Sequence, residues 1–255
     1  MANEILYVPG IGTRYYYAPD AAGTPTLAEI GSGSHSSAIE NGNPTFTFSG
    51  KALQFSMPYV QSVGLNGSHT IEYWMTLTDW NNTGASHQYG YFGSHSVSFV
   101  KILPKPISGT NNINLQLDFG DGDPEDTTVT LPDQTSPIHL AHVFDTSDSN
   151  YQLKLFVNGT KVKEHYFHMP WGNTIMLGGS IASYGATALA DSFSGKISDF
   201  LVSSGAKYTS TFTPARPTVN TGVLSKAGNP INGFAAPEIS YLEVADIPYK
   251  IVVAS

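Results

Sequence analysis

Glu72 is the natural starting point for a search for acid–base chemistry. In the run TIEYWMTL at 70–77, Ile71, Tyr73, Met75 and Leu77 alternate with Glu72, Trp74 and Thr76. Strand periodicity therefore puts Glu72 on a polar face. A retaining glycosidase needs two carboxyl groups about 5–5.5 Å apart. On one strand that means acids at alternating positions, as in an E-x-D-x-x-E run. No such run occurs, and Glu72 is the single acid of 70–77. No catalytic residue is assigned, and the chain is expected not to be an enzyme.

Other chemistry-bearing residues point to binding. The segment DFGDGDPED at 118–126 offers Asp118, Asp121, Asp123, Glu125 and Asp126. These hard oxygen donors suit Ca²⁺, so Asp118, Asp121, Asp123 and Asp126 are candidate calcium ligands. The plainer alternative is a solvated acidic turn, because Asp and Gly recur in turns for backbone reasons. No other cofactor is expected. His139/His142 and His165/His168 stand three apart, so on a strand each pair points to opposite faces and chelates nothing by itself. No nucleophile-elbow context accompanies any serine. Aromatics beside amides are the best ligand candidates, because sugar rings offer apolar faces to aromatic side chains and hydroxyls to polar ones. Trp80 with Asn81 and Asn82, then Tyr89 and Tyr91, and Trp171 with Asn173 in HMPWGNT would make a glycan site if their segments shared a rim. Packing or subunit contact is the competing use of the same side chains.

Composition narrows the partners. The chain has 255 residues and a formal charge of −8, with only 12 Lys and Arg. Duplex binding needs clustered cations to displace counterions, and these are scattered, so no nucleic-acid partner is expected. Charged residues are 13%, about half the usual share of ~25%. With 25 Gly, 16 Pro, 14 Tyr and 13 Phe, that balance favours strands and tight turns over solvent-facing helices. The absence of cysteine excludes disulfides, zinc-thiolate sites and thiol nucleophiles. The opening residues MANEILYVPGIG lack a basic stretch followed by an apolar one, so no signal peptide is expected. No apolar run is long enough to span a bilayer, so no membrane insertion is expected.

The elements that would position these side chains are short strands. Runs at 52–55, 70–77, 96–103, 113–119, 138–144, 151–157, 161–167, 174–177 and 196–202 alternate or are β-rich, with turn residues between them. Asn158–Gly159 is a strong hairpin signal. This pattern predicts an all-β, antiparallel sandwich. Residues 1–45, with four prolines and GSGSHSS at 31–37, read as an irregular N-terminal arm for assembly or packing. Residues 46–218 read as the sandwich. Residues 219–255 read as a strand-rich extension, with runs at 238–244 and 247–253 suited to assembly.

Three ordered segments resemble the concanavalin A-like, laminin-G-like jelly-roll family. The first is GKALQF at 50–55 with TIEYWM at 70–75. The second is HLAHVF at 139–144 with LKLFVNG at 153–159. The third is FSGKISDF at 193–200 with AKY at 206–208 and FTP at 212–214. Leu201 and Ile138 depart from the family's usual Arg and Trp. The resemblance implies an antiparallel jelly-roll β-sandwich. The third segment is similar to bacteriophage tail and capsid-decorating proteins. It implies a virion structural protein with a lectin-like domain, for host-glycan adhesion or particle decoration, assembled in the host cytoplasm and exposed outside. The implied partners are other virion proteins, further copies of the chain and a cell-surface glycan. The alternative implied by relatives of the fold is a glycoside hydrolase or a carbohydrate-binding module.

Overall fold

Side-chain alternation is converted into strands wherever a run of apolar residues can be shared between two layers. The computed structural model describes residues 4–8, 15–17, 26–40, 43–56, 68–78, 87–93, 96–118, 125–149, 153–166, 174–181, 187–216 and 225–227. Among them lie nineteen strands and no helix. In chain order they are β1 (Glu4–Val8), β2 (Tyr15–Tyr17), β3 (Thr26–Ile30), β4 (Ser34–Glu40), β5 (Asn43–Ser49), β6 (Ala52–Ser56) and β7 (His69–Leu77). There follow β8 (His87–Gly93), β9 (Ser96–Pro106), β10 (Asn112–Asp118), β11 (Glu125–Thr130), β12 (Ile138–Phe144) and β13 (Leu153–Val157). The last are β14 (Thr160–His165), β15 (Thr174–Leu177), β16 (Gly179–Ser180), β17 (Asp191–Ser192), β18 (Ser194–Ser204) and β19 (Ser225–Ala227).

Two large antiparallel sheets result. The first runs β14-β13-β12-β7-β18-β1-β2-β19, with the β4–β5 hairpin also attached to β18; the second runs β11-β10-β9-β8-β15-β6-β3. Ile71, Tyr73, Met75, Leu140 and Ile197 of the first meet Leu53, Phe55, Ile102, Leu115 and Ile175 of the second in one buried core. This face-to-face packing of alternating strands is a β-sandwich, as the sequence predicts.

β18 organises the first sheet. One of its edges pairs with β7. The other is divided: Ser194–Ile197 pair with β5, and Phe200–Ser203 pair with β1. Between the halves the register against β7 shifts across Ser198/Leu201, and Asp199 adopts a left-handed φ of 50°. A bulge of this kind bends the strand and lets two partners share one edge.

The first 45 residues differ from the irregular arm expected. β1, β3 and β4 are strands within the two sheets, and Leu6, Tyr7 and Val8 are buried. A boundary at residue 46 would cut β5 in two. The prolines and glycines that suggest disorder are concentrated between these strands. SHSSAIE in β4 lacks apolar alternation, and backbone pairing with β5 defines it. The Tyr15–Tyr17 triplet is β2, between β1 and β19. Of the C-terminal extension, only β19 is described, and the runs at 238–244 and 247–253 lie outside the described residues.

If β1 is part of the core, Leu6→Ala should cost about 2–5 kcal/mol, as other buried leucines do. An external arm would lose less than about 0.5 kcal/mol. Urea unfolding followed by tryptophan fluorescence distinguishes the two.

Candidate functional site

The outer face of the first sheet carries Glu72, the acid with which the search for acid–base chemistry began. Register places Trp74 beside Ser198, Thr76 beside Lys196, and Glu72 beside Ala141. This face would be open to water but for residues 206–216, which cross it as a strap without regular strand structure. The strap is fixed by backbone contacts: Phe212 N donates to Gly159 O at 3.0 Å, and Lys207 N donates to Thr70 Oγ1 at 3.0 Å. Its Tyr208 and Phe212 rings stack with centroids 3.6 Å apart and pack with Ala206 on Ala141, Val143 and Phe156.

The Asn158–Gly159 turn does more than reverse the chain. Both residues have positive φ, 48° and 77°, as the tight hairpin turn requires. Asn158 Oδ1 accepts from His139 N at 2.9 Å. A Cβ at Gly159 would lie 1.9 Å from Phe212 O. Only glycine therefore permits both the turn and the docking of the strap.

Glu72 lies at the centre beneath the strap, 3% exposed. Lys207 Nζ donates to Oε1, Tyr208 OH donates to Oε2 at 2.7 Å, and His139 Nε2 is 3.3 Å from Oε2. Burial by itself would raise this carboxyl. The hydrogen bond from His139, the charge and hydrogen bond of Lys207, and the Tyr208 hydroxyl together outweigh it and hold Glu72 below the usual carboxylate range. The Tyr208 hydroxyl is pushed far up, by burial and then by the adjacent carboxylate. Both oxygens of Glu72 are thus occupied by residues that pin the strap.

Arg216, the last described residue of the strap, borders a cleft of about 200 Å³. Glu40, Asn43, Thr45, Trp74, Lys196 and Arg216 form much of its wall. Arg216 lies over the Trp74 ring, 4.6 Å from its centroid. Its Nη1 donates to Ser198 Oγ at 2.6 Å and also to Asp199 Oδ2. Asp199 accepts a further hydrogen bond from Tyr7 OH at 3.1 Å. Burial raises the Asp199 carboxyl, against the opposing pull of Arg216 and Tyr7. Lys196 Nζ donates to Glu40 Oε2 at 2.7 Å across the cleft. Nothing in the sequence singled out Arg216, Lys196 or Glu40. The visible signal was the alternation that set Trp74 on the outward face with Glu72.

Of the residues expected to bind glycan, Tyr89 and Tyr91 lie among the described residues. Trp80, Asn82, Trp171 and Asn173 lie outside the described residues. Tyr89 and Tyr91 lie within β8, their backbones opposite Val100 and Ser98 of β9. They are in mid-strand, not in a loop, because an aromatic-rich run favours the extended chain. Among the candidate calcium ligands, Asp121 and Asp123 lie outside the described residues. Asp118 pairs with Lys101 at 2.9 Å, and Asp126 accepts from Gln116 at 2.9 Å. Among the described residues no three His, Asp or Glu side chains converge as a metal would need.

Neither a family model nor a curated protein matches this chain. Solved structures do. The binding domain of botulinum neurotoxin serotype D/C VPI 5993 superposes with a TM-score of 0.54 at 11% identity, covering 81% of this chain and 50% of that one. Domain 4 of AbnA, a GH43 extracellular arabinanase from Geobacillus stearothermophilus, solved with arabinotriose, gives 0.50 at 15% identity, covering 80% and 94%. A botulinum neurotoxin type C structure, from work tying cell entry to two ganglioside molecules, gives 0.53 at 11% identity, covering 81% and 49%. The chain is a jelly-roll β-sandwich. It spans about half the length of the neurotoxin chains and nearly all of the arabinanase domain.

Two variants test the strap. Gly159→Ala should destabilise the fold by at least about 2 kcal/mol, combining the positive-φ penalty with the clash at Phe212. Glu72→Gln should cost about 1–3 kcal/mol at neutral pH, less than a fully buried pair because Lys207 is a third exposed. The sign with pH follows from the depressed carboxyl. Its contribution is fully present above the unfolded pKa of about 4.3 and is lost as pH falls through the lower folded value. The stability gap between native chain and variant should therefore close below about pH 4 in urea titrations.

Proposed function

We propose that this protein is a non-enzymatic glycan-binding module, with the Trp74–Arg216 cleft as its sugar site. The observation that carries the reading is the cleft's mixed lining. Trp74, with Arg216 over one ring face, stands beside hydroxyls, an amide, the Lys196 cation and a carboxylate. A sugar ring presents both apolar C–H and hydrogen-bonding O–H groups, so it needs such a mixture. Among the described residues Arg216 uses Nη1 for its hydrogen bonds to Ser198 and Asp199, and its other N–H groups could serve as donors to a sugar. The likeness to an arabinanase domain solved with arabinotriose, and to a neurotoxin structure concerned with gangliosides, supports the same class of ligand. Glu72 favours the non-enzymatic reading over a hydrolase, since its oxygens are engaged by Lys207, Tyr208 and His139.

The finer reading is display of this module on a bacteriophage particle, as part of the tail or as a capsid decoration, in several copies. It is supported by the similarity of the segments at 193–200, 206–208 and 212–214 to virion proteins. Mass spectrometry of particles and the identity of neighbouring genes test it.

Binding of a polysaccharide and ganglioside-oligosaccharide panel is the direct test. Lys196→Met and Thr76→Trp, one removing a donor and the other filling the cleft, should each weaken glycan binding at least about tenfold, or 1.4 kcal/mol, with little change in Tm. Loss of binding in Trp80→Ala or Trp171→Ala, with the cleft variants unaffected, would move the site to those tryptophans. Binding to no glycan would end the reading. Release of reducing ends would show an enzyme.

A further inference from the structure

The Asn158–Gly159 turn carries a reactivity that neither the fold nor the cleft uses. In an Asn-Gly pair the glycine nitrogen can attack the asparagine carboxamide, because glycine has no side chain to hinder the approach. The bond from Gly159 N to Asn158 Cγ forms, the Cγ–Nδ2 bond breaks, and the proton of the attacking nitrogen leaves with the departing ammonia. Water then opens the five-membered imide at either carbonyl. One opening gives aspartate. The other gives isoaspartate, in which the main chain runs through the side-chain carbons.

The fold opposes the first step. Asn158 is exposed, so water reaches it, yet it is clamped twice to one residue. Its N donates to His139 O at 2.9 Å, and its Oδ1 accepts from His139 N at 2.9 Å. Gly159 is buried, and its O accepts from Phe212 N of the strap at 3.0 Å. Closing the imide requires the carboxamide to leave His139 and the peptide between residues 158 and 159 to turn, while the strap holds that peptide from its far side. The reaction therefore waits on a local opening. Its isoaspartate product does not fit the closed state. Val157 pairs with Thr160 across a two-residue turn, whose twist matches the strands only at that length. Isoaspartate adds a carbon to the main chain there, and no slack exists to take it up: a Cβ at Gly159 would lie 1.9 Å from Phe212 O and 2.9 Å from Pro214 Cδ.

We propose that Asn158 is a deamidation site gated by the strap: it is protected while residues 206–216 are docked, and its conversion to isoaspartate bars the strap from docking again. The strap is then a latch that each molecule can lose once. This inference is independent of the glycan reading.

Peptide mapping by mass spectrometry, with isoaspartate identified by enzymatic methylation, follows the reaction in the full-length protein. Asn41, Asn66 and Asn232 also precede glycine. They lie outside the described residues and serve as references in the denatured chain, where Asn158 should react about as fast as they do. In the native protein Asn158 should react at least about a hundredfold more slowly than in denaturant. Phe212→Ala and the milder Glu72→Gln both loosen the strap, and each should speed the native reaction at Asn158 at least about fivefold. Ile113→Val thins the core beneath the second sheet without touching the strap, and should change that rate less than about twofold. Equal acceleration by Ile113→Val and the strap variants would make global unfolding the gate and overturn the proposal. So would no acceleration by either strap variant, a native rate equal to the denatured one, or an Asn158 inert in denaturant. After refolding, isoaspartate-containing chains should show the Phe212 amide open to hydrogen exchange. Freshly prepared Asn158→Asp, which keeps the chain length and an acceptor for His139 N, should keep that amide protected. A protected Phe212 amide in the isoaspartate chains would overturn the loss of the latch.

Discussion

A buried carboxylate on the wrong side of a sheet sets the terms for this fold. Glu72 points away from the sandwich core, yet it is almost fully covered. Burying an unpaired charge costs several kcal/mol, so whatever covers Glu72 must also neutralise it. The strap does both: Lys207 supplies the charge at one oxygen, and Tyr208 shares the other with His139 of the neighbouring strand. Tyr208 and Phe212 then bury the apolar surface of Ala141, Val143 and Phe156. The strap is thus a third layer over part of the sheet, held by one ionic centre and by the glycine turn that lets it approach.

That arrangement gives a physical meaning to sequence segments that resembled a family. GKALQF and TIEYWM, HLAHVF and LKLFVNG, and AKY with FTP are distant in the chain. TIEYWM, HLAHVF, the Asn158–Gly159 turn, AKY and FTP come together at this strap. Their shared role is architectural, and the cleft beside Arg216 is a consequence. Arg216 emerges there, draws Asp199 and Ser198 to itself, and covers one face of Trp74.

The layered fold was legible because alternation is a local signal. β7, β10, β12, β13 and β15 match runs read directly from the sequence, and Asn158–Gly159 is the turn it announced. The strands of the first 45 residues were not legible. β4 has no apolar face, and its existence depends on β5, which only the three-dimensional pairing supplies. The cleft was legible only in part. Trp74 could be assigned an outward face, but Lys196, Glu40 and Arg216 are separated by up to 176 positions and meet through the division of β18. That Tyr89 and Tyr91 lie in a strand was not legible, because aromatics between polar residues look alike in a loop and in a strand. The partner of Asp118, Lys101, is on another strand, and its pairing was not legible in the sequence.

The division of β18 also bears on how the molecule is made. β1 pairs with residues 200–203, almost two hundred positions later, and β5 with residues 194–197. During synthesis both earlier segments have emerged from the ribosome long before the strand that receives them exists. Pairings so remote in sequence slow the search for the native state. Until β18 appears, Leu6, Val8, Phe46 and Phe48 have no interior to enter and are exposed to other chains. Assembly of this sandwich therefore waits on one late strand, and crowded nascent chains would compete for it.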